Sequence, residues 1–422
     1  MSFTSFVDGT RWSDVHAAAA CAFLAGTAMF TADFALVLHL QSTGLGGAAV
    51  ATLIICGTLP MVLLAPITGR MADRFDSRTL MAASGLLQAA AITGMTLTDD
   101  LPVLLGLVIL NACGTALLNP TVSALIPVIA TADDLPRAVA TVQTGTLIGM
   151  AAGPGMAGFV VGVHGTDGAL VVALCCALLR AALCADIRTR RGGIRRDLAA
   201  HRDAADRPAW NLRGDRLLTT MVIGVAAVIA CLCSVNVLEV FLVREVYGAS
   251  SSTYGLIHAC WTIGMAGGAW IAAAVIRRLM RDAHLAWMLM ICLATTGAVC
   301  VVLGMPLPTV ALLVPIMLCG GVLNACENSA MQIAVARRVP ESFRGRAGAK
   351  INGTVNGATL IGFVLGGALS SALPTQTAFV VIGVATIAIV ACCVPMVRRG
   401  TRDEPETVEP EPEPRPAPLV AA

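Results

Sequence analysis

Thr141-Val142-Gln143-Thr144-Gly145-Thr146-Leu147-Ile148-Gly149 returns later in the chain as Thr354-Val355-Asn356-Gly357-Ala358-Thr359-Leu360-Ile361-Gly362. The two stretches agree at the Thr-Val pair and at Thr-Leu-Ile-Gly, displaced by 213 residues (354 − 141) in a chain of 422. A displacement of about half the length means two related halves, and the stretch lies inside an apolar run each time. Any account of the fold must therefore hold twice.

The solvent for those halves is lipid. Hydrophobic residues make up 57% of the chain and charged residues 13%, with a mean hydropathy of +0.80. That is too apolar for a water-soluble core of this length. A helix needs roughly 20 apolar residues to cross a bilayer, and runs of that length recur from His16 almost to Val397. Aromatic residues at 4% and 41 glycines disfavour a lipid-facing β-barrel, which wants aromatic girdles and short alternating strands. Apolar runs between charged or Gly/Pro-rich breaks predict spans at 16–40, 48–69, 79–97, 101–127, 137–163 and 167–187. The second six are 217–243, 255–276, 284–304, 309–336, 348–373 and 377–397.

Arginine placement fixes the expected topology. Alternate loops carry Arg70, Arg74 and Arg78, then Arg137, the Arg188-to-Arg216 stretch, Arg277, Arg278 and Arg281, then Arg337, Arg338, Arg344 and Arg346, and finally Arg398 and Arg399. The opposite loops carry essentially Arg244 alone. Cytoplasmic loops collect Lys and Arg, so both termini and the central loop are expected in the cytoplasm of a multi-pass cell-membrane protein. The expected division is an N-terminal six-helix bundle over 1–187, a linker at 188–216, a C-terminal bundle over 217–397 and a Glu/Pro-rich disordered tail at 398–422. No basic segment precedes the first apolar run, so that run is expected to stay rather than be cleaved.

Several chemistries find no support. The fifteen cysteines show no CxxC or Cys/His spacing, so no metal is expected. No Gly-x-x-x-x-Gly-Lys loop is present for nucleotide binding, nor any nucleophile or cofactor motif. The protein is expected not to be an enzyme, to need no cofactor, to bind no nucleic acid and to act as a monomer.

Two motifs carry a resemblance. The loop after the second span reads Gly69-Arg70-Met71-Ala72-Asp73-Arg74-Phe75-Asp76-Ser77-Arg78. The fifth span contains Gly149-Met150-Ala151-Ala152-Gly153-Pro154-Gly155-Met156-Ala157-Gly158. The first resembles the loop signature of the major facilitator superfamily at Gly69, Asp73, Arg74 and Arg78; Asp76 stands in place of a glycine and Ser77 in place of a basic residue. The second resembles the Gly-x-x-x-Gly-Pro signature of that superfamily's proton-coupled drug exporters, and the whole looks closest to exporters of macrolides and of siderophores such as enterobactin. Leu125-Ile126-Pro127, followed by Asp133-Asp134-Leu135, supports it.

The resemblance implies an all-α fold of twelve transmembrane helices in two six-helix bundles, with the substrate at mid-membrane between them. It implies a cytoplasmic latch at Gly69, Asp73, Arg74 and Arg78, with Asp73 meeting the N-terminus of helix 11 or an arginine such as Arg344 or Arg346. It also implies a hinge at Gly149, Gly153, Pro154 and Gly158, whose small residues let helix backbones approach. Ordinary positive-inside charge and plain close packing are the respective alternatives. Helix 4 departs from many proton-coupled relatives, having no arginine near Asn111 or Gly114.

Acids inside apolar spans are costly, about 2.5–3.5 kcal/mol for an aspartate at mid-bilayer. Asp33 in helix 1 and Glu239 in helix 7 occupy related places, 206 residues apart (239 − 33). Both are expected to face the cavity and carry protons, with Glu327, between Asn324 and Asn328, as a third. Phe23, Thr27, Phe30 and Phe34 follow helical spacing around Asp33, and Asn236 precedes Glu239 by one turn; these five are the expected substrate-cavity residues. A cationic or amphipathic small molecule would suit such a face. The alternatives are structural pairing of Asp33 or Glu239 with polar neighbours or Arg244, and a gate or interbundle hydrogen bond at Glu327. His39, His164 and His258 are isolated and read as structural or interfacial; Trp261 and Trp270 read as packing or lipid-facing residues, with substrate contact as the alternative.

The expected activity is export of a drug, siderophore or metabolite by proton antiport with alternating access. Proton-coupled uptake and a non-transporting sensor or scaffold are the competing readings.

Overall fold

The structure, a computed structural model, describes residues 9–131, 133–184, 187, 189, 215–278, 282–339 and 344–402. Among them every regular element is helical. Helix α1 is Trp12–Ser42; α2 is Gly46–Leu63, continued past a break at Leu64 by Ala65–Arg74; α3 is Ser77–Met95 and α4 is Leu101–Ile129. Leu135–Leu183 is hydrogen-bonded as one helix, but Gly165, at φ 74° and ψ −176°, divides it into α5 (135–164) and α6 (166–183). In the second half α7 comprises Arg216–Leu232, Ser234–Phe241 and a π turn at Leu242–Val246. Then come α8 (Ser251–Ile276), α9 (Asp282–Leu303), a 3₁₀ turn at Val310–Leu312, α10 (Leu313–Arg338), α11 (Arg344–Ala372) and α12 (Thr375–Arg402).

Among the described residues ten helices are long and apolar enough to cross a membrane. Two further crossings complete the twelve. Ser77–Met95 begins beside Arg78 and carries Gln88 in midspan, which lowers its hydropathy. Leu135–Leu183 counts once although it reverses at Gly165, in a backbone region that only glycine enters without strain. The reversal is visible in its packing: Gly145 abuts the Ala19 carbonyl on one arm, and the Cys184 thiol after the other lies 3.8 Å from that of Cys21.

Predicted boundaries move by a few residues. Asp76, the departure from the loop signature, caps α3 by accepting from Thr79 N at 3.2 Å. Helix α12 continues through Arg398 to Arg402, into the stretch assigned to the tail. The linker, apart from Thr189, Asp215 and Arg216, and the rest of the tail lie outside the described residues.

Lipid is as apolar as leucine, so helices associate through close packing and hydrogen bonds rather than through hydrophobic exclusion. Gly149 and Gly153 bring α5 against α1: a Cβ at Gly149 would collide with the Phe23 carbonyl, and one at Gly153 would lie 2.5 Å from Phe30 Cβ. The repeat does the same between α11 and α7, where a Cβ at Gly362 would lie 2.6 Å from Cys233 Cβ and one at Gly366 2.8 Å from the Ser234 carbonyl. Hydroxyls tie the same pairs, Thr31 donating to the Gly153 carbonyl (3.3 Å) and Ser234 to the Gly362 carbonyl (3.0 Å).

The halves meet chiefly along two seams, α5 with α8 and α2 with α11, and α1 adds contacts to α7 and, through Phe34, to α8 beside the first seam. At the first, Pro154 and Gly158 press on Gly255 and Ser251; at the second, Gly367 and Ser370 press on Ala51 and Gly47. Gln41, near the end of α1, adds hydrogen bonds between the halves, to Glu245 (3.2 Å) and Arg244 (3.5 Å). Apolar side chains such as Trp270 (83% exposed) and Ile291 (62%) face outward from the helices, as lipid-facing residues do.

Candidate functional site

A cavity of about 790 Å³ lies between the helices and reaches Ala336 near the end of α10 and Gly348 near the start of α11. It is sunk into the second half. The first half contributes Phe30 and Met150 to its lining, and helices α7 to α11 contribute the rest. Thioethers and thiols (Met265, Met317, Met331, Cys233, Cys300) and Trp261 form its adaptable apolar surface. Asn236, Asn324, Asn328, Gln332 and Asn352 supply amides, and Glu239, Glu327 and His258 are its titratable groups. No lysine or arginine lines it among the described residues.

Glu239 sits where α7 is irregular, between the interruption at Cys233 and the π turn that begins at Leu242. Such irregular turns recur at functional sites because they turn a side chain off the regular face. The residue is 3% exposed, and its carboxylate Oε2 is 2.9 Å from His258 Nδ1 on α8. Its other oxygen, Oε1, is buried without a hydrogen-bond partner. The His258 ring lies against Phe34 of α1, centroids 4.4 Å apart and tilted by 58°. Phe34 in turn stacks on Tyr254 at 5.5 Å and touches Phe30 at 6.5 Å. A carboxylate of one half is thus linked through one imidazole to a ring of the other.

Glu327 on α10 is also buried and accepts a 2.7 Å hydrogen bond from Thr296 Oγ1 on α9. Beside it, Nδ2 of the next residue, Asn328, donates to Oδ1 of Asn324 at 3.1 Å. Burying a carboxylate is tolerable when donors compensate it, and these are the polar groups that the second half provides.

The expected site residues separate. Phe30, Asn236, Glu239 and Glu327 line the cavity; Phe23, Thr27, Phe34 and Asp33 do not. Thr27 has no exposed surface and bonds back to the Phe23 carbonyl at 2.9 Å, because α5 packs too closely there for α1 to present that face. Asp33 turns into its own half: a Cβ at Gly57 on α2 would lie 3.9 Å from its Oδ2, and 3.7 Å from Val108 of α4. Arg244, the alternative partner for Glu239, bonds instead to the Ala249 carbonyl (2.7 Å) and to Gln41.

Within the expected hinge, Gly149 and Gly153 pack inside one half, whereas Pro154 and Gly158 stand on a seam. At the expected latch, a Cβ at Gly69 would meet nothing within 4 Å and Arg74 is exposed. The side chains of Asp73, Arg344 and Arg346 lie outside the described residues.

Two residues escape the sequence reading. His258 is 19 positions from Glu239 and belongs to no motif, so only the packing of α7 on α8 reveals the pair. Arg180 in α6 is fully buried, its three guanidinium nitrogens without hydrogen-bond partners. Its signal was legible, since it is an arginine inside a predicted span. Trp261 is on the cavity wall, where the alternative of substrate contact would place it, while Trp270 is exposed on the outer surface.

Paired seams, a repeated helix scheme and a central cavity define a multi-pass transporter of the major facilitator type. The chain belongs to the family described as "Transmembrane secretion effector", whose model matches residues 16–421. It is 23% identical over 340 residues to a Bacillus subtilis (strain 168) protein described as an uncharacterized MFS-type transporter, YfiS, covering 78% of this chain and 80% of that one. Among solved structures, a POT family transporter in complex with 5-aminolevulinic acid superposes with a TM-score of 0.74 at 10% identity, covering 94% of this chain and 98% of that one. A bacterial homolog of the human lysosomal transporter Spinster, inward-facing and occupied, gives 0.73 at 13% identity over 93% and 97%. The nucleoside transporter NupG gives 0.71 at 14% identity over 91% and 98%. At these identities the structures bear on the fold alone.

Proposed function

We propose that this transporter exports cationic or neutral amphipathic small molecules in exchange for protons, by alternating access of its two halves. The observation that carries the reading is the cavity: two buried carboxylates, a set of amides and a thioether-rich wall, with no basic side chain among its described lining residues to repel a cation. Glu239 and Glu327 are the acids assigned to proton and cation handling. Asp33 keeps a place in the packing of α1 against α2.

Export is supported by the helix-5 stretch Gly149 to Gly158 and by the word "secretion" in the family's description. A membrane potential supplies about 2.3 kcal/mol per net charge moved per 100 mV, so it adds to the pH gradient when a proton entering drives a neutral solute outward, whereas one-for-one exchange with a monocation moves no net charge and is driven by the pH gradient alone. With both seams closed and the cavity reaching Ala336 and Gly348, beside the arginine-bearing loop between α10 and α11, this arrangement fits the loading state of an exporter whose arginine-rich loops are cytoplasmic. The latch around Asp73 would hold the opposite state. A reporter fused near Pro208 should then be cytoplasmic and one near Gly165 external.

Everted membrane vesicles with an imposed pH gradient test the function. Gradient-dependent accumulation of ethidium, lost in Glu239→Gln and Glu327→Gln, is the expected result. Gradient-driven movement in the opposite sense would establish uptake. Dye handling that is indifferent to deletion and overexpression across a broad cation panel would leave the sensor reading standing.

A further inference from the structure

We propose that Glu239 and His258 form one proton-holding unit whose charge is read across the seam by Phe34, so that this pair, rather than Asp33, biases the halves between their two arrangements. The inference rests on the proton-coupled reading above and names where the proton is held.

A carboxylate and an imidazole 2.9 Å apart share a proton along their contact, and a second proton makes the imidazole cationic while the carboxylate remains its counter-ion. The orphaned Oε1 of Glu239 leaves the unit short of a donor, and a buried acceptor without a partner gains when a proton or a donor reaches it. Charge on His258 would be felt at once by α1. The imidazole lies 4.4 Å from the Phe34 centroid, and a cation beside an aromatic ring is attracted by its quadrupole.

Phe34 belongs to the first half, and Tyr254 and His258 to the second. When the seam opens, these rings must part and the imidazolium loses its neighbour. The pair therefore holds its proton differently in the two arrangements, and a difference of that kind is what coupling requires. The arrangement that keeps Phe34 on His258 is favoured as pH falls.

Other titratable groups near the pair are few. Helix α7 presents Glu239 and α8 presents Tyr254; α5 brings Met150 and Pro154, and α10 brings Glu327, already engaged by Thr296. Arg244 and Glu245 are bonded to Gln41 beyond the next turn. Helix α1 brings Asp33 next in sequence to Phe34, but its carboxylate faces Gly57 within its own half, where opening the seam changes little.

The test is a distance measurement on the full chain in nanodiscs, with nitroxides on genetically encoded ketone residues at Gln143 of α5 and Thr354 of α11, both exposed. Electron–electron resonance is recorded at steps from about pH 5 to about pH 8.5. The long-distance population of the parent should grow as pH falls. His258→Gln and Glu239→Gln should flatten that response while eluting as monodisperse protein, and Asp33→Asn should retain it. Phe34→Leu leaves the polar pair intact and should change the ratio of the two populations at low pH by about two- to fivefold, the range of one such cation–ring contact.

A parent-like response in both His258→Gln and Glu239→Gln, or its loss in Asp33→Asn alone, overturns the assignment. Ethidium efflux in everted vesicles separates the two levels of failure. A parent without gradient-driven efflux sinks the proton-coupled reading itself, whereas a coupled parent together with an equally coupled His258→Gln sinks only the role of the pair.

Discussion

In the first half Gly149 and Gly153 press α5 onto α1 while Pro154 stands on the seam; 213 residues later Gly362 and Gly366 press α11 onto α7 while Gly367 stands on the seam. The packing scheme has been kept to the residue. The chemistry has not: the first half lends the cavity Phe30 and Met150, whereas the second lends it two carboxylates, an imidazole and a row of amides. The lesson is that a duplicated framework can hold its backbone contacts fixed, since few residues fit them, while side chains pointing into a cavity are free to diverge.

The comparison breaks most visibly at the glycines. Gly255→Leu should abolish transport by folded protein, because its side chain would meet the Pro154 carbonyl across the seam. Gly153→Leu should instead show as lost stability, about 1–3 kcal/mol for overpacking within one half. Thermal unfolding measured beside transport distinguishes them, and equal defects in both assays for both variants would erase the distinction between seam and interior.

The acids come next. Glu239→Gln should lower pH-driven ethidium efflux by about tenfold or more, as expected when a proton-transferring group is removed, and Asp33→Asn should lower it less. The reverse order would return the proton site to the first half.

A smaller effect is expected at Glu327. Removing its hydrogen bond in Thr296→Val is worth about 0.5–1.5 kcal/mol, which should weaken ethidium binding by about two- to tenfold in a fluorescence titration. Unaltered affinity would mean that Glu327 has no part in recognising the cation.

The smallest effect on transport is expected at Arg180. A buried charge without a partner costs stability, and an apolar residue of similar length removes that cost. Arg180→Met should transport like the parent and unfold at the same or a higher temperature. Loss of transport with stability retained would give that arginine a functional role.

Asp33 and Glu239 show where reading from sequence stopped. Both were legible as acids in apolar spans, and their 206-residue separation made them look equivalent. Yet one faces Gly57 of its own half and the other faces His258 and the cavity. A shift of 206 is not the repeat's 213, and seven residues amount to roughly two helical turns at 3.6 residues each. That offset, together with the break at Cys233 and the π turn after Phe241, sets the two acids in different surroundings. Thr27 tells the same story, since helical spacing placed it on a face that the glycines of α5 cover.

The sequence by itself determined the solvent, the number of crossings, the duplication and the stretches where backbones must touch. Each follows from local quantities: run length, arginine placement, and small residues at fixed spacing. Only the tertiary structure decided which acids reach the cavity, that His258 belongs with Glu239, and that the polar lining lies almost wholly in one half. The physical reason is that a helix presents all its faces to sequence inspection equally. Which face meets lipid, a neighbouring helix or the cavity is set by helix rotation and by contacts between segments far apart in the chain.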